Sequence, residues 1–369
     1  MARKIVRGIS LYPGLSDCTS AENEKLLLMA ASHGCTALFT SLQLPEADYE
    51  KGRAELKRLL VLAREHGMDV IADYSPDGAA SLGFSGNITK DISVAQSLGV
   101  TVLRLDAGIS GEELSRLVTE NTSMCFCLNA STITDSSLLN CLRGTRDFSD
   151  SRIIAVHNYY PRRNTGLDVG FFCEQNRRWH ERGIPVGAFI PATKHRGPVY
   201  AGLPTLEGQR ELSAAESMRE LAALGVDAVF FGDPAVTEEE LLAFEAADCS
   251  DIVFHLTAEP DAGLPKEFFA EPFAVRPDRA RDAVRAADSR PRLKKLGLSV
   301  KPQPARPRPA GSLTIDNELA GRYQGELQIT LRELPPDPTV NVIGQLSPEE
   351  FSLLKTVQGT IKQLRIELK

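Results

Sequence analysis

The stretch that decides the fold is Val100-Thr101-Val102-Leu103-Arg104-Leu105-Asp106-Ala107-Gly108-Ile109. Its first half is apolar and β-branched, which is typical of a short buried strand in a parallel sheet. Such a strand has little reason to carry charge, because an unpaired charge is costly to remove from water. Arg104 inside the strand and Asp106 at its end therefore indicate an ion pair, a helix cap or a functional site.

Other predicted strands also end on polar residues. Asp73 ends one strand, Asn129 ends another, and the pair His157-Asn158 ends a third. The carboxyl ends of parallel strands meet at one edge of a sheet, so these residues predict a single polar face where a site could form.

Eight predicted strands alternate with helices over about the first 250 residues, which is the typical size of a (β/α)8 barrel. A glycine follows most helices and leads into the next strand, as in Leu98-Gly99-Val100. A doubly wound open sheet has the same alternation, but the count of eight favours a TIM-like barrel. The strands are predicted at Ile5–Tyr12, Ala37–Leu42, Met68–Tyr74, Thr101–Leu105, Met124–Asn129, Arg152–Asn158, Val186–Ile190 and Ala228–Phe231.

The pattern changes towards the C-terminus. The barrel is expected to occupy residues 1–270, with a ninth strand at Ile252–Leu256 leading out of it. Residues 271–310 are rich in Arg and Pro and predict a solvated connector stiffened by proline; from Arg276 to Arg308, eleven Lys and Arg face three Asp. Short strand-like runs over residues 311–369 predict a small, mostly β C-terminal domain.

Composition limits the partners. The 369 residues are 42% hydrophobic and 25% charged with a net charge of −7, which disfavours nucleic acid as a bulk electrostatic partner. No apolar run reaches the ~18 residues of a membrane helix, and the N-terminus lacks a signal-peptide pattern. Seven scattered cysteines are typical of reduced thiols, so we expect a cytoplasmic protein with no membrane partner. Association into a homo-oligomer is left open.

Two carboxylates are candidates for acid–base chemistry. Asp73 and Asp106 follow neighbouring strands, which lie ~4.8 Å apart in a sheet. Their carboxyl groups could therefore approach the ~5 to 9.5 Å used for glycoside hydrolysis, and such proximity raises one pKa. The alternative is that Arg104 or Arg162 only neutralises them.

Other chemistries have weaker signals. Glycine-rich phosphate loops are absent, which disfavours a nucleotide enzyme. A phosphate could instead be held by Arg162, His195 and Arg196, the last two lying in a long predicted loop after strand seven. Metal ligation by His157, Asp73, Asp106 and Asp233, or by Cys125 with Cys127, lacks a supporting ligand motif, so neither a metal nor a cofactor is predicted.

Several strand-end phrases together resemble the 6-phospho-N-acetylmuramidase family, over nearly the whole chain. The resemblance implies a TIM-like barrel with a small cyclophilin-like C-terminal domain. It also implies cytoplasmic hydrolysis of a 6-phosphorylated muramyl disaccharide in cell-wall sugar recovery (peptidoglycan recycling). The phrases are Gly8–Pro13, Phe39–Ser41, Leu103–Asp106, Leu128–Ser131, His157–Pro161 with Thr165–Leu167, Gly202–Glu207, Ile315–Asn317, Gly321–Gln328 and Val340–Gly344.

These observations predict a glycosidase that needs no cofactor and takes a small phosphorylated sugar. Asp106 and Asp73 are the predicted catalytic carboxylates. Substrate contacts are predicted for Tyr12, Ser41, Arg104, Asn129, His157, Asn158 and Glu207. Phosphate contacts are predicted for Arg162, Arg196 and Arg322. The prediction for Arg322 requires that the C-terminal domain covers the barrel mouth. If it does not, Arg322 and Asp316 are expected only to stabilise a hairpin.

Two other functions stay open at this point. One is a metal-assisted lyase or isomerase of a sugar phosphate, since barrels of this size support many chemistries. The other is a non-catalytic sugar-phosphate sensor that uses the basic connector to hold an acidic partner.

Overall fold

The computed structural model describes residues 5–15, 18–42, 49–74, 82–105, 109–120, 123–133, 142–144, 147–247, 253–259 and 263–369. The chain divides into two compact units, Met1–Ser250 and Asp251–Lys369. No helix within the described ranges is both long and apolar enough to span a membrane.

The first unit is a closed barrel of eight parallel strands. Each strand pairs with the next one along the chain, and the eighth strand pairs with the first. This closure confirms the predicted TIM-like barrel and excludes an open sheet, which would leave two strand edges unpaired. The strands are β1 Val6–Ser10, β2 Ala37–Ser41, β3 Asp69–Tyr74, β4 Val102–Leu105, β5 Cys125–Asn129, β6 Ile153–Val156, β7 Val186–Ile190 and β8 Ala228–Phe231.

Helices connect the strands, and their starts follow from capping chemistry. They are α1 Ser20–Ser32, α2 Tyr49–Glu65, α3 Ile88–Leu98, α4 Gly111–Glu120, α5 Val169–His180, α6 Ala214–Ala223 and α7 Glu238–Ala246. The sequence pattern predicts Ser20 as the cap of the first helix, but Thr19 caps α1 through a reciprocal pair of hydrogen bonds with Glu22. The pattern also predicts a helix from Gly208, whereas the cap at Ser213 makes α6 start later. A helix is predicted at 135–143 as well, and most of that range lies outside the described residues.

The inward-facing side chains of the barrel strands are apolar in the interior and become polar at the C-terminal strand ends. Ile71, Val102, Cys127 and Val156 belong to one buried cluster inside the barrel. Successive residues of a strand alternate between faces, so the next inward positions lie two residues later. Those positions are Asp73, Arg104, Asn129 and Asn158. The C-terminal end of the barrel therefore has a polar layer directly above its apolar core.

Gly8 illustrates how tightly this interior is packed. A Cβ at Gly8 would overlap the ring of Phe230, which is fully buried, and would lie 3.0 Å from the carbonyl oxygen of Ala37. We expect Gly8→Ala to lower the free energy of unfolding by about 1–3 kcal/mol, as overpacked cores do. Urea denaturation measures this, with Gly208→Ala as the control, since a Cβ there meets no atom within 4 Å. Equal midpoints for both variants would contradict the packing argument.

The second unit is built on a seven-stranded, mostly antiparallel sheet. The strands are β9 Val253–Ala258, β10 Phe273–Ala274, β11 Ala283–Arg285, β12 Ser312–Asp316, β13 Leu327–Thr330, β14 Val340–Leu346 and β15 Gln363–Leu368. Their order in the sheet is β10-β15-β9-β14-β12-β13-β11. The described residues of this unit also form the helices α8 Ser289–Lys295 and α9 Pro348–Val357.

The structure differs from the expected connector over residues 271–310. That stretch supplies β10, β11 and α8, and the boundary between the units lies at 250/251 instead of 270. The ninth predicted strand is central in the second sheet, where β9 pairs with both β14 and β15. The apolar positions of the stretch, such as Val284 and Leu293, are buried but too widely spaced to show a periodicity among its Arg and Pro residues.

Candidate active site

A buried ion pair lies at the C-terminal end of the barrel. Asp73 on β3 and Arg104 on β4 are register partners, and Nη1 of Arg104 donates to Oδ1 of Asp73 at 2.9 Å. Only 3% of the Arg104 side chain and 11% of the Asp73 side chain are exposed. A guanidinium beside a carboxyl group favours its ionised form. The positive charge of Arg104 inside β4 is thus compensated by the carboxylate of Asp73 on the neighbouring strand β3.

Two amides continue the network from this ion pair. Nη2 of Arg104 donates to Oδ1 of Asn158 at 2.6 Å, and Nδ2 of Asn129 donates to the same oxygen at 3.0 Å. Oδ1 of Asn129 accepts from the backbone N–H of Ser131. Hydrogen bonds therefore join four strand-end side chains of β3 to β6, with Asn158 accepting from both Arg104 and Asn129.

His157 is a neutral ring that is connected to this network through the hydroxyl of Ser131. Its Nε2 faces the amide oxygen of Asn176 at 2.8 Å and carries the proton. Its Nδ1 therefore accepts from the hydroxyl of Ser131 at 3.0 Å, and that hydroxyl accepts from the backbone N–H of Asn158. Burial, assisted by the charge of Arg104, lowers the pKa of His157 to about 4, although the bond to Asn176 opposes the shift. At neutral pH this histidine orients Ser131 and Asn158 and carries no charge.

An aromatic cluster holds a second arginine at the strand ends. The guanidinium of Arg196 lies 4.4 Å from the ring centre of Tyr12 and 5.9 Å from that of Tyr159. Tyr159 in turn packs edge-on against Tyr12, Phe39 and Phe189. Burial keeps the pKa of both Tyr12 and Tyr159 above the ordinary value, so both phenols stay protonated.

Arg196 is buried without a counter-charge. Only 9% of it is exposed, and no carboxylate in the described part of the chain forms an ion pair with its guanidinium. Its Nε is also a buried donor with no hydrogen-bond acceptor among those residues. A desolvated cation of this kind is a strong attractor for an anion. Among the described residues of the site, Arg104 is thus paired with a carboxylate, whereas Arg196 is not.

Asp233 fixes the loop that carries Arg196. The carboxylate follows β8 and is fully buried. Its Oδ1 accepts from the backbone N–H of Arg196, and its Oδ2 accepts from the N–H groups of Ala192 and Leu203. Burial raises the pKa of Asp233, and the three N–H groups act against that rise. This residue, considered above as a metal ligand, is engaged as an anchor of the loop.

Glu207 and Arg162 occupy a neighbouring loop pair. Both oxygens of Glu207 accept hydrogen bonds, from Nε and Nη2 of Arg210 and from the N–H groups of Asn164 and Gly166. The bonds from Arg210, followed by those from the backbone, lower the pKa of Glu207 to about 2. Arg162 is exposed, and its carbonyl accepts from Arg210. The structure shows Glu207 clamping two loops, and its predicted contact with substrate stays a prediction.

The set of predicted residues is completed by Ser41, Asp106 and Arg322. Ser41 ends β2 beside Asp73, where it is 3% exposed. Asp106 lies outside the described residues, so its predicted role stays a prediction. Arg322 belongs to the second unit, where it donates to the hydroxyl of Tyr323 at 2.8 Å.

Three residues of the site were not predicted from the sequence. Tyr159 lies inside the quoted run His157–Pro161, which was the available signal. Asn176 lies on α5 and Arg210 follows a 3-10 turn, and neither has a local pattern that connects it to the strand ends. Only the tertiary structure brings Asn176 to His157 and Arg210 to Glu207.

No metal site is formed by the residues that the structure describes. Among them, no group of three or more His, Cys, Asp or Glu is placed to hold a metal ion. Cys127 is fully buried in the barrel interior, and Cys125 packs against the same apolar cluster. Both ring nitrogens of His157 are engaged by Ser131 and Asn176.

Family comparison matches both units. The 6-phospho-N-acetylmuramidase N-terminal family model covers residues 7–246, and the corresponding C-terminal model covers residues 252–365. The chain belongs to the 6-phospho-N-acetylmuramidase family. The resemblance predicted from the strand-end phrases is thereby confirmed over nearly the whole chain.

Solved structures of similar proteins support the fold of the family. An uncharacterized B. cereus protein is 27% identical, with a TM-score of 0.74 and 99% coverage of both chains. A conserved protein of unknown function from a locus in Enterococcus faecalis is 30% identical, with a TM-score of 0.58 over 99% of this chain and 96% of that chain. No curated protein is significantly similar to this chain.

Proposed function

We propose that this member of the family is a cytoplasmic glycosidase that hydrolyses a 6-phosphorylated amino-sugar disaccharide of the 6-phospho-N-acetylmuramyl type. The reaction would recover cell-wall sugar, and it needs only carboxylates to protonate the leaving oxygen and stabilise an oxocarbenium-like state. Asp73 and Asp106 are the proposed carboxylates. The proposal rests on family membership together with the charge arrangement at the barrel end.

The observation that carries the phosphate assignment is the uncompensated guanidinium of Arg196. A dianionic phosphate would supply the counter-charge that this buried side chain lacks. Arginine suits phosphate because its planar fork donates two parallel charge-assisted hydrogen bonds. The ring of Tyr12 covers one face of the guanidinium, so its N–H edge remains the side for a ligand.

The ion pair supports a role for Asp73. Because a guanidinium beside a carboxyl group favours the ionised form, we assign Asp73 to the general base or the nucleophile and not to the general acid. Asp106 would then be the proton donor. Asn129 and Asn158, which are already held by Arg104 and Ser131, present fixed amides beside Asp73 for the sugar hydroxyls. Such preorganisation lowers the cost of orienting the substrate.

A paired-substrate assay tests the proposal. The purified protein is incubated with a chromogenic glycoside of 6-phospho-N-acetylmuramic acid and, separately, with the same glycoside lacking the phosphate. We expect kcat/KM to favour the phosphorylated glycoside by about a hundredfold or more, equivalent to two tenfold steps of ~1.4 kcal/mol each. Equal turnover of both glycosides would contradict the phosphate assignment. Metal-dependent formation of an elimination product in place of the free sugar would favour a lyase.

A further inference from the structure

The second unit contains an open cleft between α8 and the turn that ends at Tyr323. The cleft has a volume of about 700 Å³, within the ~300–1,000 Å³ that small-molecule sites occupy. Three cationic side chains line it, Arg290, Lys294 and Arg322, together with the amide of Gln324. Leu293 and Leu298 form its apolar part, and the described residues that line the cleft include no carboxylate.

Two of the cations are fixed around one aromatic ring. The guanidinium of Arg322 lies 4.9 Å from the ring centre of Tyr323, and that of Arg290 lies 5.3 Å from it. Nη2 of Arg290 also donates to the carbonyl oxygen of Arg322 at 2.6 Å. Cation–π contacts and this hydrogen bond hold two like charges close together before any ligand arrives.

The positive charge of the cleft is only partly balanced. Glu326 lies 3.8 Å from Arg290 but also 3.6 Å from Arg285, so it is shared. Neither Lys294 nor Arg322 forms an ion pair with any residue that the structure describes. Lys294 is exposed at the cleft, and its ammonium is therefore available to an anion. A concave surface lined by one sign of charge concentrates counter-ions of the opposite sign.

We propose that this cleft of the second unit is itself a binding site for a phosphorylated sugar, in addition to the site proposed on the barrel. The phosphate lies between Lys294 and Arg322, with Arg290 behind it. The sugar ring packs over Leu293 and Leu298, and the amide of Gln324 meets its hydroxyl groups. The sequence-based expectation that Arg322 binds phosphate is thus extended to Arg290 and Lys294. The phosphate assignment depends only on the cleft, whereas the choice of a sugar rests on the proposed function.

Calorimetric titration of the full chain with N-acetylglucosamine 6-phosphate tests the proposal. We expect the wild-type protein to bind two equivalents. Lys294→Gln should weaken one of the two binding steps by about tenfold, since a charge-assisted bond is lost. Lys295→Gln is the matched control, because it removes the same charge from the next residue of α8, which does not line the cleft. It should leave both steps within twofold of wild type.

A third variant distinguishes binding at the proposed barrel site from binding at the cleft. Arg196→Gln should remove the other binding step and leave the step that depends on Lys294 unchanged. If the proposed function fails, Arg196→Gln will have no effect while the Lys294→Gln effect persists. The cleft proposal is overturned if Lys294→Gln and Lys295→Gln weaken binding equally, or if neither does. Inorganic phosphate that binds the Lys294 step as tightly as the sugar phosphate would overturn the sugar assignment.

Discussion

Asp73→Asn is expected to lower kcat for a phosphorylated glycoside by about a thousandfold or more. An amide keeps the shape of the carboxyl group but neither accepts a proton nor attacks the anomeric carbon, and acid–base groups contribute roughly 10²–10⁴-fold to rates. Arg104 loses its charged partner at the same time, which adds to the disturbance at the strand ends. Steady-state hydrolysis of the chromogenic 6-phospho-sugar measures the loss, and thermal unfolding verifies that the variant is folded.

The control for Asp73 lies on the same strand. Asp69 begins β3, at the opposite end of the barrel from Asp73, so Asp69→Asn makes the same chemical change away from the proposed site. It should retain kcat within a few-fold. Retention of activity within tenfold in folded Asp73→Asn would remove Asp73 from the mechanism.

Azide rescue of Asp73→Ala distinguishes the chemical roles of the carboxylate. A small anion can take the space of a missing nucleophile or base and attack the anomeric carbon. A glycosyl azide of inverted configuration would agree with Asp73 acting as base or nucleophile on the face opposite the leaving group. An azide product of retained configuration would instead assign Asp73 to the acid position, contrary to what its pairing with Arg104 indicates.

Arg196→Gln is expected to raise KM for the phosphorylated glycoside by roughly a hundredfold and to change kcat little. The phosphate is remote from the bond that is cleaved, so its contacts act mainly through binding. A hydrogen bond to a charged group contributes about 1.5–3 kcal/mol to the binding free energy. Because the guanidinium of Arg196 is buried, we expect a value in the upper part of that range. Turnover of the glycoside without phosphate should be nearly unaffected.

Two exposed arginines serve as comparisons for Arg196. Arg163 is ion-paired with Glu211 on the surface, and Arg163→Gln should leave both KM values unchanged. Arg162 was also predicted to bind phosphate, and a KM increase in Arg162→Gln would support that prediction. If Arg196→Gln affects both glycosides equally, the side chain serves the fold of the site and does not recognise phosphate.

The barrel was predictable because its pattern is local and repeated. Buried parallel strands are short apolar runs, and the glycine after each helix marks the return to the barrel. The strands Val186–Ile190 and Ala228–Phe231 have the predicted bounds. The second sheet was less predictable. Its central strand β9 joins β15 from the far end of the unit, and β10 has only two residues, so no local run reveals the pairing.

The site was predictable in its inward-facing strand positions and not in its loops. Alternation along β3 to β6 places Asp73, Arg104, Asn129 and Asn158 on one side, and the structure joins them by hydrogen bonds. The roles of loop residues depend on which segments meet. Glu207 was predicted to contact substrate, and that stays a prediction; its partners Arg210 and Asn164 reach it only through the folding of two loops, which no local pattern reveals.

Asp233 anchors the loop that carries Arg196, so the middle of that loop can change in sequence without moving the backbone of Arg196. Three N–H groups, from Ala192, Arg196 and Leu203, converge on a single carboxylate. Both ends of the loop and the backbone of Arg196 are thereby tied to the segment that follows β8. Residues 198–201 lie between the tied positions, so insertions or substitutions there can alter the rim of the barrel while Arg196 keeps its place. Sequence changes in this segment can therefore reshape the surface beside Arg196 while the backbone of Arg196 stays anchored.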